Sequence, residues 1–143
     1  MTATSPVWPD QSRSRVSAAR IARLATVRPD GWPHLVPVTF ALHGDTVVTA
    51  VDHKPKSTTA LQRLANIDAE PRVSLLVDHD DEDWSRLWWV RLDGAAAVAR
   101  DEPERTALLE PLVARYPTYQ DRRPAGPVIV VQIVTVTSWS ASD

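Results

Sequence analysis

The stretch from Thr46 to Ile67 reads TVVTAVDHKPKSTTALQRLANI and combines three local signals that decide how the chain folds. Its first six residues are rich in β-branched side chains, which is typical of a strand. Its later part has apolar residues at helical spacing, and Ser57 or Thr58 can cap a short amphipathic helix there. A proline turn separates the two elements. The sequence therefore predicts a strand, a turn and a helix in direct succession.

The turn in this stretch is cationic. Lys54 and Lys56 flank Pro55, and they are the only lysines among the 16 basic residues of the chain. Their ammonium groups, the hydroxyl groups of Ser57 and Thr58, and the backbone amides at the start of the helix converge on one turn. Such a combination favours the binding of an anion. The alternative is a solvated turn with two surface lysines.

The rest of the chain predicts mainly β structure of the α+β class. Turns rich in proline, glycine and aspartate separate apolar runs, and a further helix is expected before the first strand and another near residues 101–115. We expect six or seven mostly antiparallel strands with two or three short helices, and a small barrel fits this pattern best. The expected strands cover residues 21–27, 35–42, 46–51, 72–77, 87–99 and 128–139.

The composition suits a single globular domain. The chain has 143 residues, of which 43% are hydrophobic and 24% are charged. We assign residues 15–143 to the domain and residues 1–14 to a flexible N-terminal arm. No segment resembles a signal peptide or a membrane span, so a cytoplasmic protein without a membrane partner is expected. A net charge of −2 gives no electrostatic reason to expect nucleic acid binding.

Several kinds of reactive site are excluded. The chain has no cysteine, which rules out disulfides, thiolate nucleophiles and cysteine-bound metals. The acidic run 78–83 is no EF-hand, because Asp83 and Trp89 stand where that loop needs glycine and glutamate. The histidines are far apart, so we expect no metal site. No catalytic residue can be identified; the groups that could donate a proton are those of His34, His53, Tyr116 and Tyr119.

Adjacent tryptophans stand out in the fifth predicted strand. Trp88 and Trp89 must point to opposite faces of a strand, so they cannot easily share one core. The second ring can lie in a subunit interface, or it can wall a cleft for a flat aromatic ligand. Arg86 and Arg91 flank the pair and can bind a phosphate or carboxylate, or pair with the acidic run. The two interpretations agree if the cleft lies at a dimer interface.

Three segments together resemble the pyridoxamine-phosphate-oxidase-like split-barrel flavoproteins. Ala22–Val27 with Gly31–Val38 resembles their opening hairpin, and the turn Lys54–Thr58 with the segments that follow it resembles their phosphate-binding turn, helix and next strand. The run Asp83–Arg91, followed by Gly94, is similar to one branch that depends on the deazaflavin coenzyme F420. The likeness covers about Ala18 to Ser140.

This resemblance implies a split β-barrel homodimer with two cofactor sites, each assembled from both chains at the interface. It implies that F420 is the cofactor and that a hydride passes between it and a small conjugated or quinone-like electron acceptor. The phosphate end would lie on the lysine turn, the ring against two strands, and the facing strand would add two weaker contacts. The implied cofactor residues are Val36, Pro37, Val38, Thr39, Ala50, Val51, Lys54, Lys56, Ser57, Thr58, Trp88 and Arg91.

Two alternatives stay open. The first is an FMN-binding oxidase of the same fold, although the segment 49–52 lacks the arginine-rich phosphate contacts that such oxidases have there. The second is a non-catalytic protein that stores or shields F420.

Overall fold

The computed structural model describes residues 5–51 and 58–142. Within them lie seven strands, four α-helices and a short 3-10 helix at Trp84–Arg86. The α-helices are α1 (Ser12–Ala18), α2 (Thr58–Ala69), α3 (Glu104–Arg115) and α4 (Pro117–Asp121). The strands are β1 (Ile21–Val27), β2 (Pro33–Thr39), β3 (Ala41–His43), β4 (Thr46–Ala50), β5 (Arg72–His79), β6 (Trp88–Ala99) and β7 (Val128–Ser140).

All seven strands form one antiparallel sheet in the order β2-β1-β5-β6-β7-β4-β3. The outermost strands β2 and β3 are consecutive in the chain and are separated only by Phe40, so the sheet must curl until its two ends meet. At this junction the hydroxyl of Thr49 on β4 donates a hydrogen bond to the carbonyl of Thr39 on β2, at 2.7 Å. The predicted mainly β, antiparallel split barrel is confirmed.

The inner face of the curled sheet holds the main core. Residues alternate along β1, where Ala22, Leu24 and Thr26 are buried while their neighbours are more exposed. Phe40 is fully buried at the point where β2 passes into β3. Leu64 and Ile67 of α2 pack on the same core, which holds this helix against the sheet. The amphipathic helix expected after the lysine turn is therefore present and buries its apolar face.

A close approach of two strands fixes the bend in β6. The register between β6 and β7 shifts by one residue between Asp93 and Gly94. A Cβ atom on Gly94 would lie 2.4 Å from the carbonyl oxygen of Gln132 and 2.9 Å from a methyl group of Val131. Only glycine fits here without displacing backbone. The bend predicted at Asp93-Gly94 therefore coincides with a β-bulge.

Part of the predicted N-terminal arm is bound to the domain. The indole N–H of Trp8 donates a hydrogen bond to a carboxylate oxygen of Asp45, at 2.8 Å. Arg13 forms an ion pair with the same carboxylate at 2.7 Å, and it lies over the Trp8 ring at 4.3 Å. Both donors hold the pKa of Asp45 below its ordinary value. From Trp8 onwards the segment is thus fastened to the turn between β3 and β4.

Candidate functional site

Two buried polar atoms that lack hydrogen-bond partners within the described part of the chain lie where α2 crosses the end of the sheet. The Nδ1 atom of His34 on β2 and the Nε atom of Arg63 on α2 are both buried, and neither has a hydrogen-bond partner among the described residues. Buried polar atoms are nearly always paired, so two orphans on neighbouring side chains indicate a missing partner. We call this pair the Arg63–His34 seat.

Local structure explains why these two side chains come together. His34 lies opposite Thr26 in the β1–β2 register. The side-chain amide N–H of Asn66, fully buried on α2, donates to the Thr26 hydroxyl at 3.0 Å, and the Gln62 side chain donates to Oδ1 of Asn66 at 2.7 Å. This polar chain fixes the helix to β1 and places Arg63, the next residue after Gln62, beside the end of β2.

The electrostatics of the seat are dominated by burial and by positive charge. Burial lowers the pKa of Arg63, because the charged form loses water. Burial, then the charges of Arg63 and Arg28, lower the pKa of His34. Within residues 5–51 and 58–142, Arg63 forms no ion pair with a carboxylate. A guanidinium N–H and an imidazole N–H are groups that bind phosphate or carboxylate, so the chemistry of these two side chains suits an anion.

We predict that the imidazole of His34 titrates at a lower pH than an ordinary histidine. Its pKa is depressed, so the stability that it contributes is present above the unfolded-state pKa of about 6.5. That stability is lost as the pH falls through the folded-state pKa. NMR titration of the His34 ring protons should give a midpoint below 6.5, and added phosphate should raise it. A His34→Asn variant should lose less stability on acidification; an equal loss would contradict the prediction.

The strand positions implied for the cofactor ring lie on β2 and at the end of β4. Val36 and Val38 point inward, and Val38 and Ala50 are buried. Pro37 is exposed on the opposite face. Thr39 lies beside α4, where its hydroxyl is hydrogen-bonded to that of Tyr119 at 2.8 Å. The β4 end and β2 meet in the barrel seam, so the structure brings these two groups of residues together.

Trp88 and Arg91 lie on opposite faces of β6. Trp88 packs against the main core and its ring is stacked on that of His79, with centroids 5.9 Å apart. Arg91 lies on the outside with Trp89, and its guanidinium is 6.0 Å from the Trp89 ring. The tryptophans thus point apart, as the alternation of a strand requires.

The outside of the sheet around Arg91 forms a continuous surface that we call the outer sheet face. It runs across β2, β1, β5, β6 and β7, and it contains an open concavity of about 430 Å³ lined by Leu35, Leu76, Trp89 and Arg91 among others. Leu35 is 65% exposed and Trp139 is 46% exposed. A ligand or another chain placed here would cover apolar surface that water otherwise contacts.

Other predicted groups are either engaged or outside the described residues. The hydroxyl of Tyr116 lies 2.8 Å from the carbonyl oxygen of Arg20 and 2.9 Å from that of Phe40. Together with the Tyr119 bond to Thr39, this occupies both tyrosine hydroxyls. The turn with Lys54, Lys56 and Ser57, and also His53, lies outside the described residues, whereas Thr58 opens α2.

A family model described as pyridoxamine 5'-phosphate oxidase matches residues 8–140. The chain belongs to this family. Among solved structures, a conserved hypothetical protein of Mycobacterium tuberculosis is 20% identical, with a TM-score of 0.73 over 99% of this chain and 91% of that one. A FAD-binding protein of Mesorhizobium loti is 20% identical, with a TM-score of 0.66 over 88% of this chain and 87% of that one.

A third solved structure, named F420 reductase, is 26% identical, with a TM-score of 0.65 over 91% of this chain and 98% of that chain. A comparison with curated protein sequences finds no match. The matches below 25% identity establish the fold, and the family match establishes the relationship to pyridoxamine 5'-phosphate oxidases.

Sequence reasoning missed Arg63 in this member of the family. It is the only basic residue between Thr58 and Ala69, directly after a cationic turn, and this could have drawn attention to it. In the described part of the chain no group of three or more histidine or acidic side chains is placed to hold a metal ion. None of the described helices is both long and apolar enough to cross a bilayer.

Proposed function

We propose that this pyridoxamine 5'-phosphate oxidase family member is an oxidoreductase that binds coenzyme F420 and transfers a hydride between it and a small conjugated or quinone-like molecule. The observation that carries the proposal is the likeness, at 26% identity and over 91% of the chain, to a structure named F420 reductase. The bound deazaflavin would supply the hydride chemistry, while the chain binds it, orients it and excludes water.

The anionic part of the cofactor has suitable partners in this chain. The Arg63–His34 seat offers the Nε–H donor of Arg63 and a ring nitrogen of His34, both buried and unpaired among the described residues. The turn with Lys54, Lys56 and Ser57 directly precedes α2, whose first turns carry Arg63. We infer that the lysine turn and the seat form one extended cationic site for phosphate and carboxylate groups. A long polyanionic cofactor suits such a site better than a ligand with a single charge.

The ring of the cofactor would lie against the seam between β2 and β4. The backbone from Val36 to Thr39 and the end of β4 at Ala50 and Val51 would face it. Arg91 of a second copy is a proposed contact, and Trp89 accompanies it on the same face. Trp88 belongs to the opposite face of its strand, which makes it the weaker of the two predicted contacts from β6.

We further propose that two copies of the chain associate through the outer sheet face, so that each cofactor site has residues from both. The exposed apolar side chains Leu35 and Trp139 favour such an association.

Replacing Leu35 with glutamate should convert the dimer into a monomer. The side chain is 65% exposed, so the charge costs little in the isolated chain but would be buried in the interface. Size-exclusion chromatography with light scattering measures the mass. The matched control is Leu61→Glu on α2, where the side chain is 62% exposed and the mass should not change. A wild-type monomer at micromolar concentration would overturn the shared site.

Titration with F420, FMN and FAD, followed by fluorescence and calorimetry, tests the cofactor. We expect saturable binding of F420. No F420 binding at tens of micromolar would refute the proposal.

Replacing both Lys54 and Lys56 with alanine should weaken F420 binding by about 1.5 to 3 kcal/mol for each charge-assisted hydrogen bond that the change removes. The thermal midpoint should change little, because lysine side chains are seldom part of a protein core. Calorimetric titration of the double variant measures the effect, and an unchanged affinity would show that the lysines are not part of the site.

An FMN-binding oxidase is the second candidate, and the description of the matching family model favours it. Such a protein would purify yellow and would retain FMN on dialysis. A protein that binds F420 without catalysis would instead bind F420 but reduce no acceptor in a panel of quinones and enones.

A further inference from the structure

We propose that a second site, separate from the Arg63–His34 seat, binds a small organic anion with an apolar body. The site is an open concavity of about 790 Å³ between the end of α1, the start of β1, the end of β5 and the start of β6. Arg15, Arg20, Ile21 and Trp88 are among its walls, whereas Arg63 and His34 are not. We call it the α1 concavity. Its anion binding is independent of which cofactor the protein uses.

The α1 concavity has an excess of positive charge. Arg23 in its wall is paired with Asp78 at 2.6 Å. Arg15 and Arg20 form no ion pair with any carboxylate in residues 5–51 and 58–142. Two guanidinium groups are thus left without a counter-ion in one concavity, which attracts an anion.

Trp88 positions the guanidinium of Arg15 for anion binding. The guanidinium of Arg15 lies over the Trp88 ring, 5.0 Å from its centroid. The imidazole of His79 is stacked on the same ring with an interplanar angle of 13°. A cation–π contact of this kind restricts the guanidinium, whose several N–H donors can still bind a ligand. A carboxylate can then be bound edge-on by two parallel hydrogen bonds. Arg20 lies in the same wall and can add a third contact.

Part of the remaining wall is apolar, and Ser14, Asp78 and His79 add polar groups to the rest. Ile21 is 43% exposed, and Ala18 is also exposed beside it in the concavity. A ligand whose carboxylate contacts Arg15 therefore places the rest of its body against these side chains. The chemical class that fits is a monocarboxylate with an aromatic or compact aliphatic group, in preference to a bare inorganic anion or a neutral molecule.

The test uses benzoate as the probe, with benzamide as its neutral analogue and inorganic phosphate as an anion without an apolar body. Binding is followed on the cofactor-free protein by NMR of the tryptophan indole N–H signals. We expect saturable binding of benzoate, and at least tenfold weaker binding of benzamide and of phosphate. Equal binding of benzamide would refute the role of charge, and equal binding of phosphate would refute the role of the apolar walls.

Variants locate the site. Arg15→Gln and Arg20→Gln should each weaken benzoate binding at least tenfold, while Arg100→Gln, which removes an exposed arginine paired with Asp68 elsewhere, should not change it. Trp88→Phe should retain most of the affinity, and Trp88→Leu, measured at a temperature below its unfolding transition, should lose it, since an aromatic ring orders Arg15. The proposal is overturned if benzoate does not bind, or if the Arg15 and Arg20 variants bind it as the wild type does. Loss of F420 binding would leave these outcomes unaffected.

Discussion

Replacing Arg63 with methionine is expected to weaken F420 binding by about tenfold to a hundredfold, the value of one charge-assisted hydrogen bond of about 1.5 to 3 kcal/mol. The reason is that, within the described part of the chain, Arg63 Nε is a buried donor without a partner and the Nδ1 of His34 is also unpaired. The thermal midpoint should stay the same or rise slightly, because burial already disfavours this charge and methionine retains the apolar stem. Calorimetric titration and thermal unfolding measure the two quantities.

A loss of binding with unchanged stability separates a ligand contact from a structural arginine. Arg100→Met is the matched control, because Arg100 is an exposed arginine that contacts the same helix through Asp68, at 2.8 Å. It should leave the affinity unchanged. Arg63→Lys should restore part of the affinity, since it keeps the charge but not the fork of donors. If Arg63→Met binds F420 as tightly as the wild type, the anion is held elsewhere in the chain.

Replacing Gly94 with alanine is expected to destabilise the fold by about 3 kcal/mol. The added methyl group would lie 2.4 Å from the carbonyl oxygen of Gln132, and that oxygen belongs to a backbone fixed in the centre of the sheet. Either β6 and β7 separate locally, or the bulge moves along the strands. Urea unfolding monitored by tryptophan fluorescence gives the free energy of unfolding.

Gly126→Ala provides the comparison for this prediction. A Cβ atom on Gly126 would meet its nearest neighbour, the carbonyl oxygen of Val51, at 3.4 Å, which is an ordinary contact. The variant should lie within about 0.5 kcal/mol of the wild type, or gain slightly from the reduced freedom of the unfolded chain. A Gly94→Ala protein that is as stable as Gly126→Ala would mean that the bulge adapts freely.

Much of the fold could be predicted because the strands are recognisable from local sequence patterns. The alternation in β1 and the β-branched run in β4 are properties of neighbouring residues, and they depend little on distant parts of the chain. Helix α4 could not be predicted in this way. It begins a segment with three prolines, a composition typical of a loop, yet Pro117 is its first residue, where a fixed φ suits a helix. Tyr119, buried in the second core, holds it in place.

The candidate site was predictable only in part. The cationic turn is contiguous in sequence, so its charges could be recognised together. The Arg63–His34 seat joins residues from a helix and an edge strand. It is recognised by its missing hydrogen bonds, which the spacing of residues in the sequence does not reveal. The resemblance grouped Trp88 with Arg91, whereas positions three apart on a strand face opposite sides. Whether Trp88 and Arg91 can contact the same ligand therefore depends on how the chain folds and associates, which their spacing in the sequence does not show.

The prolines of β2 limit the ways in which two copies of the chain can associate. Pro33 and Pro37 lie on a strand that ends the sheet, and neither has an N–H to offer to a further strand. Growth of the sheet by edge-to-edge addition is therefore opposed, even though the strand also carries the exposed Leu35. The proposed association through the outer sheet face would produce a closed pair, with no open end from which a fibre could extend.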